Sequence, residues 1–73
     1  MKLKDISGYM VVDCDILVED ATNEEYSYVD DFSLEDKKKM SRYKEATLTA
    51  IAPGNNGHVL ITVCINSGVF TEN

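Results

Sequence analysis

Residues 9–19 read Tyr9-Met10-Val11-Val12-Asp13-Cys14-Asp15-Ile16-Leu17-Val18-Glu19, and their alternation decides the fold class. Met10, Val12, Cys14, Ile16 and Val18 fall on one side of an extended chain. Val11, Asp13, Asp15, Leu17 and Glu19 fall on the other. A period of two is the mark of a strand with one buried face. The first set is wholly apolar and needs a core; the second carries three carboxylates and needs water or a partner.

Working outward, Asp20 to Glu25 is a polar loop of six residues, longer than the common two-residue hairpin turn. Tyr26-Ser27-Tyr28-Val29 then reads as a second strand, and the two form a hairpin with Glu19, Asp20, Glu24 and Glu25 at its tip. Upstream, Met1 to Ser7 is expected to form one short helix. Leu3 and Ile6 share a face, and Gly8 ends the turn. So short a helix holds only when docked on a core.

Ser33-Leu34-Glu35-Asp36 has the form of a helix start with Ser33 as cap, predicting a helix over 34–43. Its apolar content is only Leu34, Met40 and Tyr43, so it should lie against the sheet rather than within the core. Lys44 to Ala52 and His58 to Asn66 form a second hairpin around Pro53-Gly54-Asn55-Asn56-Gly57. Ala46, Leu48 and Ala50 must share a face with Val59, Ile61 and Val63, for instance with Ala50 opposite Val59. A five-residue loop would flip one strand, so either Gly57 joins the strand or a bulge absorbs one residue. Thr47, Thr49 and Ile51 then lie with Leu60, Thr62 and Cys64 on the other face, which something should partly cover: the helices or a second copy. Phe70 should cap the core. The expectation is one α+β domain spanning 1–73: a four-stranded antiparallel sheet from two β-hairpins, with one or two short helices.

Seventy-three residues allow one core of marginal stability. The net charge is −6, and Asp13 to Asp36 contains ten acids and no base. Nucleic-acid backbones and anionic membrane surfaces attract Lys and Arg, so both are excluded as direct partners. No apolar run reaches membrane-spanning length, and the start does not read as an export signal, so a cytoplasmic location in a host cell is expected. Cys14 and Cys64 are then free thiols acting as small hydrophobes.

No catalytic or metal motif emerges. His58 is the only histidine and reads as a turn-capping residue. Asp13-Cys14-Asp15 puts two carboxylates on one side of a strand, but a metal-dependent phosphoryl site also needs basic residues that this half lacks. Asp20 to Glu25 lacks the glycine and the bidentate glutamate of a calcium loop, and a zinc site lacks paired ligand spacing. No cofactor is expected, and the chain reads as non-enzymatic. The binding candidates are Asp13, Asp15, Glu19, Asp20, Glu24, Glu25, Asp30 and Asp31, interleaved with Tyr26, Tyr28 and Phe32 as aromatic anchors. Their spacing along a ribbon resembles that of backbone phosphates.

The start Met1-Lys2-Leu3-Lys4-Asp5-Ile6, the acidic hairpin, the short helix and the closing hairpin Glu45 to Ile51 and His58 to Val63 resemble, in layout, the short acidic accessory proteins of phages and mobile elements of Gram-positive bacteria. Anti-CRISPR proteins belong to that group. The resemblance implies a non-enzymatic inhibitor that presents its acidic hairpin to a basic, nucleic-acid-binding surface of a host defence protein. The alternatives are a homodimeric assembly module paired through its sheet, or a small-ligand sponge at a subunit interface.

Overall fold

The computed structural model describes residues 1–9, 13–21 and 26–66. Strands β1 (Cys14–Asp20) and β2 (Ser27–Ser33) form the first hairpin, and β3 (Thr47–Pro53) and β4 (Val59–Ile65) form the second. Helices α1 (Leu3–Ile6) and α2 (Lys37–Arg42) pack on one face of the sheet. The strand order is β2-β1-β4-β3. The two most apolar strands therefore meet at the centre, and they run parallel, with Cys14 beside Val59 and Val18 beside Val63.

The sheet is mixed, and this corrects the antiparallel expectation. The reason lies in the link between the hairpins. The thirteen residues Leu34–Ala46 carry the chain from one sheet edge to the other through α2. Parallel strands need a crossover of about a dozen residues or more. A link of that length returns the chain to the starting end, so β3 runs parallel to β2, and β4 must then run parallel to β1.

Cys14, Ile16 and Val18 of β1 and Ile61, Val63 and Ile65 of β4 are buried, as alternation requires. Leu3, Phe32, Tyr43 and Ala46 complete the core, with Ile6, Leu34, Met40, Leu48 and Val59 packed around it. The Tyr43 ring stacks on Phe32 with centroids 5.8 Å apart. Its hydroxyl donates to Asp30 Oδ2 at 3.2 Å, so the buried polar atom is satisfied. Met10 and Val12 of the expected first strand, and Phe70, lie outside the described residues.

Helix α2 starts three residues later than predicted. Asp36 is its cap, accepting from the Lys39 amide at 3.1 Å. The Ser33 hydroxyl instead accepts from the Glu35 amide at 3.1 Å, closing a turn. Helix α1 has only four residues and is held from outside. Leu3 and Lys4 amides donate to the carbonyls of Ala46 and Lys44, and the Leu48 amide donates to Met1. Lys2 and Lys4 each approach one Glu45 oxygen at 2.8 Å. The amino-terminal segment thus lies along the outer edge of β3, where Lys2 bridges Thr47.

The parity problem of the second hairpin is solved by a bulge. Leu48 faces Val63, but Ala50 faces Thr62, leaving Thr49 as the extra residue. The Thr49 hydroxyl donates to the Thr62 carbonyl at 3.1 Å. Ala50 is therefore not opposite Val59, and Ile51 faces Ile61 on the helical side rather than joining the Thr47 face. No helix reaches it, and it is 61% exposed.

Because Leu3 anchors α1, Leu3→Ala should cost about 2–5 kcal/mol in urea unfolding; the exposed Ile51→Ala should stay within about 0.5 kcal/mol. The two lysines hold Glu45 down from its ordinary 4.5 to about 2, chiefly through the Lys2 hydrogen bond. A carboxyl lowered on folding stabilises above its unfolded value and loses that contribution as pH falls through its folded one. The melting-temperature gap between the native chain and Glu45→Gln should therefore hold above pH 4.5 and close as pH falls to about 2.

Candidate functional site

The helices cover one face of the sheet and leave the other open. Alternation puts Asp15, Leu17 and Glu19 of β1 on the open face. By register, Asp31 lies beside Leu17, Tyr28 beside Glu19, Ser33 beside Asp15, and Leu60 on the other flank of Asp15. Asp15, Leu17, Asp31, Ser33, Leu60 and the Pro53–Asn55 turn line a shallow concavity of about 510 Å³. Leu17 and Leu60 contribute apolar surface to it, and Asp15 and Asp31 contribute carboxylates.

A second bulge builds this arrangement. Residues three apart in a regular strand point to opposite faces. In β2 the pairing shifts at Val29, so Tyr28 and Asp31 share the open face. The Tyr28 hydroxyl donates to the Asp31 carboxylate. That bond, with burial and the nearby acids behind it, raises the Tyr28 pKa above its ordinary value of 10.0. Asp30, by contrast, points to the helical side. Its carboxylate takes Lys39 Nζ at 2.8 Å, which is the first cause of its lowered pKa.

Parallel pairing also delivers His58 to Asp13 and Asp15. The Val59 amide donates to the Asp13 carbonyl, so the starts of β1 and β4 lie side by side. His58 Nδ1 lies 3.0 Å from Asp15 Oδ2, and Nε2 lies 3.8 Å from Asp13 Oδ2. The His58 backbone is fixed by the turn: its amide donates to Asn55, and its carbonyl accepts from Gly54. A Cβ on Gly54 would sit 3.3 Å from that carbonyl oxygen, so this close approach favours glycine. The imidazole thus pairs with a carboxylate that lines the concavity.

With both ring nitrogens facing carboxylates, neither is aimed at a hydroxyl or thiol, as base catalysis requires. Burial first, then the charges of Asp13 and Asp15, push the Cys14 thiol up, the reverse of an activated nucleophile. The Cys64 thiol is likewise raised, chiefly by burial. Among the described residues no three His, Cys, Asp or Glu side chains converge as a metal ion needs, and no described helix is long and apolar enough to cross a membrane.

Of the sequence candidates, the open face gathers Asp15, Glu19, Asp31 and Tyr28. Asp13 stands at its margin, Tyr26 precedes β2 and is exposed, and Asp20 is half-buried at the end of β1. Glu24 and Glu25 lie outside the described residues. Leu60, Ser33 and the contact of His58 with Asp15 were not expected. They enter through the β1–β4 and β1–β2 registers, which no local motif encodes. Comparison with known protein families, curated sequences and solved structures gives no match.

Because the Tyr28 hydroxyl donates to Asp31, Asp31→Asn should bring the Tyr28 titration back toward 10.0, followed by NMR of the labelled ring. An unchanged midpoint would show that Asp31 is not the cause.

Proposed function

We propose that this chain is a non-enzymatic binding protein whose open sheet face occupies a basic, nucleic-acid-binding surface of another protein. One observation carries the reading. All seven Lys and Arg residues lie in α1, α2 and the segments flanking them, and none lies on a strand. The open face therefore offers Asp15, Glu19 and Asp31 with no cation on the strands to neutralise them.

The concavity suits a Lys or Arg side chain. The aliphatic stem would lie on Leu17 and Leu60, with the charged head between Asp15 and Asp31. Tyr28, 64% exposed, supplies an aromatic contact at the rim of the same face. Long-range attraction would speed encounter and make binding sensitive to salt. This mode is the one implied by the likeness in layout to phage and mobile-element inhibitors of host defence proteins. A symmetric pairing of two copies through this face is disfavoured, because it would set these carboxylates against one another.

The direct test is a titration of the isotope-labelled chain with an Arg- and Lys-rich peptide, followed by amide NMR. Shifts should centre on Asp15, Leu17, Asp31 and Leu60 and fade as salt rises. Asp15→Lys with Glu19→Lys and Asp31→Lys should weaken binding by about a hundredfold or more. Shifts centred elsewhere, or affinity surviving the triple reversal in a folded chain, would refute the reading.

A further inference from the structure

The opposite layer carries a second surface of inverse character. Between α1 and α2 runs an open groove of about 490 Å³, within the usual size range of ligand sites. Leu3, Leu34 and Met40 give it an apolar lining, and Lys4, Lys37 and Lys44 stand around it. Lys4 is already held by Glu45 at 2.8 Å. Among the described residues, neither Lys37 nor Lys44 has an ion-pair partner.

The geometry points to this groove as a docking site for an acidic peptide segment that carries an apolar anchor. Charge complementarity sets the sign of the occupant, because two ammonium groups without an ion-pair partner flank the groove and, among the described residues, no acidic one lines it. The apolar lining sets the anchor, and Met40 can adapt its shape to a Leu or Phe side chain. Being open rather than enclosed, the groove fits an extended segment laid along it. A nucleic acid fits less well: among the described side chains no aromatic ring lines the groove to stack a base, and the chain's net charge of −6 opposes a polyphosphate. Gly8 forms one wall, and a Cβ built there meets nothing of the described residues within 4 Å. A bulky side chain at Gly8 can therefore fill the groove without disturbing the core.

The test is fluorescence anisotropy with a labelled peptide of Glu and Asp residues around one central Leu, at low and physiological salt. Saturable binding is expected. Lys37→Glu with Lys44→Glu, and separately Gly8→Phe, should each weaken it by about tenfold or more while circular dichroism stays native. Lys38→Glu with Arg42→Glu changes net charge equally but lies off the groove, and should leave affinity within about twofold. Replacing the peptide's Leu by Ser should also weaken binding. No saturable binding, equal losses from the two double reversals, or tighter binding of an oligothymidylate would each overturn the proposal. The open sheet face is probed by a basic peptide and maps to other residues, so either surface can fail without the other.

Discussion

The parallel contact between β1 and β4 is the constraint on which the rest of the molecule depends. These strands hold most of the buried aliphatic side chains, and their pairing sets them in one layer from Cys14 beside Val59 to Val18 beside Val63. A parallel pair cannot be closed by a tight turn. The chain must travel back along the sheet, and it does so through α2 on the core side. The helical layer, the placement of β2 and β3 at the edges, and the meeting of His58 with Asp13 and Asp15 all follow from that path.

The same path sorts the charges. The lysines and the arginine sit on the return segment and at the amino-terminal turn, where their stems cover core residues and their heads reach water or Glu45 and Asp30. Strands β1 and β2 carry the acids, and none of the four carries Lys or Arg. A small molecule with a net charge of −6 thereby acquires two faces of different chemistry. Only one acid of β2, Asp30, is drawn across to the basic layer, because alternation puts it on the side of Phe32, two residues on, where Tyr43 and Lys39 meet it.

Much of this was legible in the chain. The alternation of Cys14 to Glu19 assigned the buried and open faces of β1 correctly, and the Pro53–Gly57 run marked the second hairpin. Parity called for either Gly57 in the strand or an extra residue, and the structure takes the second course at Thr49. The sheet's sense was not read, because strand direction depends on the route of the Leu34–Ala46 link rather than on the strands themselves. Its length was the available signal. The helix start was misplaced because Ser33 and Asp36 can both accept from following amides, and they divide the work between turn and cap. The site was legible only in part: acidic character is local, but the neighbours of Asp15 arrive from β4, with Leu60 as its register partner and His58 43 residues downstream.

Placing β4 beside β1 also has a consequence during synthesis. Cys14 and its partner Val59 are 45 positions apart, so a nascent chain carries β1 with one edge unpaired while the whole crossover and β3 are being made. Until β4 emerges, Ile16 and Val18 lack their packing neighbours, and an exposed apolar strand edge invites pairing with other chains. The carboxylates on the reverse side of that strand keep such incomplete chains apart in the meantime.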